Sequence, residues 1–229
     1  MSRRAVLLDL DGTLVDTAPD LVAVLNTMLA SHNRPPLPFA IARNEVSNGT
    51  LGLIRAGFPA QASAADLDRL RLEFLDIYLR AVCINSRIFS GLDDILEQLE
   101  YMSCPWGIVT NKPHAMTEPL LAKLGLTSRA SCVISGDRLP ERKPHPAPLR
   151  LAATELGLEP DRCIYVGDAP RDIDAGRAAG MATIAAAYGY IRQPDDPYSW
   201  GADLVIHHPS KLLDACDRLE PAGKAARRA

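Results

Sequence analysis

Ala5-Val6-Leu7-Leu8-Asp9-Leu10-Asp11-Gly12-Thr13-Leu14-Val15-Asp16 is the stretch from which the rest of the chain can be read. An apolar run, Val6–Leu10, has the character of a buried strand, and it carries Asp9 and then delivers Asp11 at its end. Carboxylates are rarely buried without a partner, because desolvating a charge costs several kcal/mol. With a strand repeat of two residues, both side chains point to one face. A strand end with two carboxylates therefore supplies something that carries positive charge. For an isolated pair of this kind, an exposed acidic turn would be the better explanation. A helix–loop–helix calcium site does not, since Gly12 is fourth where the sixth position needs glycine, and Asp20 is twelfth where glutamate is needed.

The 229 residues, 47% of them hydrophobic, suffice for one large domain or for a core with a smaller insertion. A net charge of -3 gives no footprint for nucleic acid or for an anionic membrane. The basic cluster Lys224, Arg227 and Arg228 reads as a terminal tail. Cys83, Cys104, Cys132, Cys163 and Cys216 are odd in number and widely spaced, which fits reduced core thiols better than a zinc or redox site. The apolar run after Arg3 and Arg4 breaks at Asp9, too early for a signal peptide, so a cytoplasmic protein is expected.

Beyond residue 90, short β-branched runs recur at Trp106–Val109, Cys132–Ile134, Cys163–Val166, Thr183–Ala186 and Leu204–Ile206. Helical patterns alternate with them at Leu92–Met102, Ala115–Leu124, Pro146–Leu156, Ile173–Ala179 and Ser210–Leu219. This alternation predicts βαβ units, an α/β fold and a mostly parallel, Rossmann-like sheet. The block 16–88 differs: it has helical patterns at Pro19–Ser31 and Ala64–Val82, a Pro-rich turn at Pro35–Pro38 and no evident strand. It is expected to be an all-helical cap domain, inserted into a core domain made of residues 1–15 and 89–229.

Ligands of open α/β sheets bind at the carboxyl ends of the strands. The predicted strand ends carry Asp9 and Asp11, then Thr110-Asn111, then Lys143-Pro144 after a loop, then Gly167-Asp168 followed by Asp172. Each element alone is unremarkable: a turn, a helix start, a structural threonine. Together they supply carboxylates, a hydroxyl and a lysine, with no matching histidine or cysteine. That inventory suits phosphoryl transfer with a hard cation such as Mg²⁺, which prefers oxygen ligands and is held by a few carboxylates plus phosphate. An ionised aspartate can also serve as the nucleophile.

The four signatures Asp9-Leu-Asp11-Gly-Thr13, Thr110-Asn111, Lys143-Pro144 and Gly167-Asp168…Asp172 resemble those of the haloacid-dehalogenase superfamily phosphatases, over nearly the whole chain. The resemblance implies Asp9 as nucleophile through an aspartyl-phosphate, and Asp11 as the general acid that the family's dehalogenases lack. It further implies Thr110 and the Asn111 backbone as holders of phosphoryl oxygens, and Lys143 as their countercharge. Asp9, the Asp11 carbonyl, Asp168 and Asp172 would form the Mg²⁺ shell. Asp16–Asp20, Gly167–Ile173 and Ala175–Met181 are similar to the phosphoglycolate phosphatase group. Tyr188–Ile191, Asp196–Asp203, Val46–Gly49 and Trp106-Gly107 resemble the N-acetylmuramic acid 6-phosphate phosphatases of peptidoglycan recycling.

The expected reaction is hydrolysis of a small phosphorylated metabolite, 2-phosphoglycolate or N-acetylmuramic acid 6-phosphate, by a monomer or homodimer. A sugar-phosphate phosphomutase of the same fold is the alternative, and a non-catalytic binding module stands behind it. In the cap, Arg43 is the candidate for a substrate carboxylate, and Ser47, Asn48 and Gly49 for hydroxyl, amide and backbone contacts. A surface ion pair for Arg43 and a helix cap for Ser47–Gly49 are the plain alternatives.

Overall fold

The computed structural model describes residues 4–58, 63–192 and 194–219. The basic tail of Lys224, Arg227 and Arg228 lies outside them. Strand β1 (Ala5–Leu8) leads to a two-residue strand, β2 (Val15–Asp16). Four helices follow: α1 (Ala18–Ser31), α2 (Phe39–Ala42), α3 (Gly49–Gly57) and α4 (Ala64–Arg80), with a 3-10 segment Arg43–Asn48 before α3. The chain returns through β3 (Arg87–Ile88) into an alternating series: α5 (Leu92–Tyr101), β4 (Trp106–Val109), α6 (His114–Lys123), β5 (Cys132–Ile134) and α7 (Ala147–Glu155). It closes with β6 (Cys163–Gly167), α8 (Pro170–Ala179), β7 (Ala182–Ala186), β8 (Leu204–Ile206) and α9 (Leu212–Arg218).

The six long strands form one sheet in the order β5-β4-β1-β6-β7-β8, and every pairing is parallel. Such a sheet needs cover on both faces, which explains the apolar runs in place of alternation. One large core of buried residues, including Leu8, Ile108, Val166 and Ile184, continues into the helical insertion through Leu25, Leu53 and Phe74. A smaller one gathers Leu7, Val109, Ile134, Leu149 and Tyr165. Strand β1 is central, with β4 and β6 as neighbours, so the residues following it stand where the topology reverses.

The block 16–88 is helical as expected, but contains one strand element that periodicity did not reveal. Asp16 pairs antiparallel with Arg87, and Val15 with Ile88, where the chain leaves and rejoins the sheet domain. Two-residue strands are too short to display a period. The crossing is stapled by Asp20, a buried carboxylate that accepts from Asn85 N, Ser86 N and Ser86 Oγ at 2.8, 2.9 and 2.6 Å. Helix α8 starts three residues earlier than its apolar pattern, because Pro170 occupies its first turn and Asp172 Oδ2 accepts from Ala169 N. The five cysteines are free thiols; burial pushes the Cys132 thiol up to about 12. No helix among the described residues is long and apolar enough to cross a membrane.

Candidate active site

The backbone N–H of Asp9 donates to Val166 O at 2.9 Å, which extends β1 by one residue and points the carboxylate off the sheet edge. Asp9, Asp168 and Asp172 are 4%, 1% and 0% exposed, and one carboxylate oxygen from each lies within 4.8 Å of the others. Gly12, at φ +89°, makes this closeness possible, since a β-carbon there would collide with Asp168 and Tyr190. Tyr190 N donates to Asp168 Oδ2 at 2.9 Å.

Lys143 enters the trio from the loop after β5. Its ammonium donates to Asp9 Oδ1 at 2.8 Å, to Val109 O at 2.8 Å and to Tyr165 Oη at 2.7 Å. Those three bonds use its three protons. The contact with Asp172 Oδ1 at 2.8 Å is thus an ion pair without a directed hydrogen bond, and that oxygen accepts no hydrogen bond. Asn111 holds the lysine loop in place: its Nδ2 donates to Lys143 O at 3.0 Å, and its Oδ1 accepts from Lys143 N at 3.1 Å. Thr110 is buried at the end of β4, and its Oγ1 accepts from Lys112 N at 3.1 Å.

Charge is unbalanced here. Burial, then the neighbouring Asp9 and Asp172, pushes the Asp168 carboxyl up to about 7. Burial also raises Asp9; Lys143 opposes this and Asp172 adds to it. For Lys143 burial works against the charge, yet Asp172 and Asp9 outweigh it and keep the ammonium above its ordinary range. Arg171 adds a second positive charge nearby. One ammonium and one guanidinium face three carboxylates, one of which has an oxygen without a proton to accept. A hard divalent cation fits that deficit, and the all-oxygen donor set matches its preference.

Asp11 is different. Its Oδ1 accepts from Thr17 Oγ1 at 2.6 Å and from Lys112 Nζ at 3.1 Å, so its carboxylate stands outside the metal-fitting trio. The expectation of Asp11 among the metal ligands therefore does not extend to its side chain, which Thr17 and Lys112 already hold. Asp9, Asp11, Thr110 and Asn111 all face one cavity of about 320 Å³, together with Ser47, Asn48 and Gly49 from the helical insertion. Ser47 Oγ donates to Asp168 Oδ2 at 3.0 Å, and Asn48 Nδ2 donates to Glu45 Oε2 at 3.0 Å.

Arg43 does not line that cavity. Its Nη2 donates to Gly189 O at 3.2 Å, and its guanidinium stands 4.6 Å over the Tyr190 ring. An open carbonyl and an aromatic face satisfy the cation, so Arg43 clasps the insertion to the sheet domain instead of presenting itself to a ligand. Arg171 makes a second clasp by donating to Ser47 O. Lys112, Arg171 and Tyr165 are site residues that motif reading passed over. The first two lie inside or beside recognised motifs, whereas Tyr165 is one residue of an apolar strand with nothing to mark it.

The fold and this acidic sheet edge define a hydrolase of the α/β phosphoryl-transfer kind. The chain belongs to the haloacid dehalogenase-like hydrolase family, whose model matches residues 3–180. It is a phosphatase, as are its relatives. N-acetylmuramic acid 6-phosphate phosphatase of Pseudomonas aeruginosa is 41% identical over 95% of this chain and 96% of its own length. Phosphoglycolate phosphatase of Xanthomonas campestris pv. campestris (strain 8004) is 44% identical over 92% and 95%. The crystal structure of a predicted phosphoglycolate phosphatase from Haemophilus somnus superposes with a TM-score of 0.82 at 27% identity, covering 93% of this chain and 98% of that one.

Proposed function

We propose that the protein is a Mg²⁺-dependent phosphomonoesterase that works through an aspartyl-phosphate on Asp9, on a small phosphorylated carboxylic acid. The observation that carries this reading is the Lys143 bridge between Asp9 and Asp172 beside Asp168, opening onto a cavity shared with Asp11 and Thr110. When bound by Asp9, Asp168, Asp172 and the Asp11 carbonyl, Mg²⁺ supplies the positive charge that lets a phosphate dianion approach three carboxylates.

Asp9, anchored on one oxygen by Lys143, presents the other to phosphorus; a new O–P bond forms as the ester O–P bond breaks. Asp11 gives its proton to the departing alkoxide. Thr110 and the Asn111 N–H hold the phosphoryl oxygens, and Lys143 offsets their charge. Asp11 then takes a proton from water as its oxygen attacks the acyl phosphate, freeing phosphate and Asp9. This division of labour calls for an Asp11 side chain apart from the trio, and the carboxylates that cluster are Asp9, Asp168 and Asp172 without it.

The helices α1 to α4, spanning residues 16–88, are read as the cap that selects the leaving group, over a core of 1–15 and 89–229. The cavity's volume is at the lower end of the range for drug-sized ligands, about 300–1,000 Å³, and Leu21, Val46, Leu51 and Met116 give it apolar walls. That favours N-acetylmuramic acid 6-phosphate, with its acetyl and lactyl methyl groups, over two-carbon 2-phosphoglycolate. A role in peptidoglycan recycling follows, in the cytoplasm, for a monomer or homodimer. The test is kcat/KM for both esters under identical Mg²⁺, with released phosphate measured. The larger ester should win; preference for phosphoglycolate would overturn the substrate, and isomerisation without phosphate release the reaction.

A further inference from the structure

Four cationic side chains line the cavity, Arg71, Lys112, Arg142 and Arg171, against two carboxylates, Asp9 and Asp11. Two of the four are already occupied. Lys112 neutralises Asp11 at 3.1 Å, and Arg171 is bound to Ser47 O while facing the acidic trio. Arg71, on the inner turns of α4, has one partner, Asp68 at 3.4 Å, an (i, i+3) contact between side chains that are 44% and 73% exposed. Exposed pairs of that kind contribute little, so Arg71 can leave it at small cost. Arg142, also lining the cavity, has no side-chain partner among the described residues and immediately precedes Lys143 in the chain.

Beside Asp9, Thr110 and the buried Lys143 would answer a phosphoryl group, together with a cation held by the acidic trio. Two weakly engaged guanidiniums in the same lining, one from the helical insertion and one from the sheet domain, are surplus for a neutral alcohol's phosphate. Guanidinium matches a carboxylate's two oxygens in fixed geometry, which ammonium does not. We infer that Arg71 and Arg142 form a carboxylate clamp for the leaving group, with Arg71 the residue that makes the enzyme prefer acidic phosphate esters over neutral ones. The clamp rests on the phosphomonoesterase reading above and adds the recognition of a second anion. It also assigns to α4 the part that Arg43, committed to Gly189 and Tyr190, does not play.

The experiment compares two esters that differ by one group: N-acetylmuramic acid 6-phosphate, and N-acetylglucosamine 6-phosphate, which lacks the lactyl carboxylate. The readout is the ratio of their kcat/KM values in wild type, Arg71→Ala, Arg71→Lys and Arg71→Glu, all with Mg²⁺. A wild-type preference of about 10- to 100-fold is expected, in line with a charge-assisted hydrogen-bonded pair. Arg71→Ala should bring the ratio close to one through a higher KM for the acidic ester, Arg71→Lys should restore part of it, and Arg71→Glu should invert it. Because Arg71 is exposed and alanine favours helix, folding is not at risk. A wild-type ratio near one, or a ratio that Arg71→Ala leaves unchanged, overturns the clamp while phosphate release keeps the phosphatase reading. Release from neither ester, nor from 2-phosphoglycolate, overturns both.

Discussion

Lys112 Nζ stands 3.1 Å from Asp11 Oδ1, with the two side chains 4% and 17% exposed, while the same ammonium lies 5.0 Å from the centre of the Tyr78 ring on α4. A residue next to the Thr110-Asn111 signature thereby holds the proposed proton carrier and touches the helical insertion at once. Replacing it should disturb catalysis and stability together. Lys112→Met removes the positive partner of a nearly buried carboxylate, a loss of about 3 kcal/mol for buried pairs, and should lower kcat by about 10²-fold, the scale of general acid–base assistance. Urea denaturation and steady-state kinetics check the two effects. Unchanged kcat would remove Lys112 from the mechanism.

Asp9→Asn keeps the shape and the acceptor oxygen for Lys143 but cannot form an acyl phosphate. Activity on any phosphate ester should fall by about 10⁴-fold or more, as for other nucleophile deletions. The melting temperature of the metal-free variant should not fall, because one of three crowded carboxylates has been neutralised. Mass spectrometry after mixing wild type with substrate should detect phosphate on the peptide carrying Asp9 and none in the variant.

The acidic trio also sets a pH dependence of the metal-free protein. Asp168 titrates near 7 when folded, against an ordinary carboxyl value of 3.8. The folded state therefore holds a proton that the unfolded state releases, so stability declines as pH rises from about 4 towards 7. Calorimetry in chelator between pH 5 and 8 should show that decline. Added Mg²⁺ should reverse it, by about 2.7 kcal/mol at a hundredfold excess over Kd. A flat profile in chelator, or no response to Mg²⁺, would contradict the charge deficit described for the site.

Gly12→Ala tests the cradle around Asp168. The backbone there is left-handed at φ +89°, and the new methyl would strike Asp168 and Tyr190. Gly125 is also left-handed, at φ +71°, but opens onto free space. Alanine at Gly125 should cost about 1 kcal/mol of backbone strain. Alanine at Gly12 should cost more and should weaken Mg²⁺ binding by isothermal titration, whereas Gly125→Ala leaves it alone.

The sheet strands and most helices were legible because each rests on a local pattern. Parallel strands buried on both faces must be apolar throughout, and surface helices repeat with their own period. Asp9, Thr110, Lys143 and Asp168 could be anticipated as neighbours because the carboxyl ends of adjacent parallel strands meet at one edge whatever the loops do. The β2–β3 pair escaped notice because two residues show no period, and Tyr165 because a strand tyrosine looks like any core aromatic.

What sequence alone determined was thus the inventory of the site: side-chain types whose charges need one another, delivered to one sheet edge by the order of the strands. Only the tertiary structure decided which cations are spent and which are free. Arg43 and Arg71 are both insertion arginines and look equivalent along the chain. The difference is that Gly189 and Tyr190 engage the first, while the second faces the cavity with one weak partner. Competition for partners across three dimensions leaves no trace in local pattern, because the groups that settle it lie more than a hundred residues away.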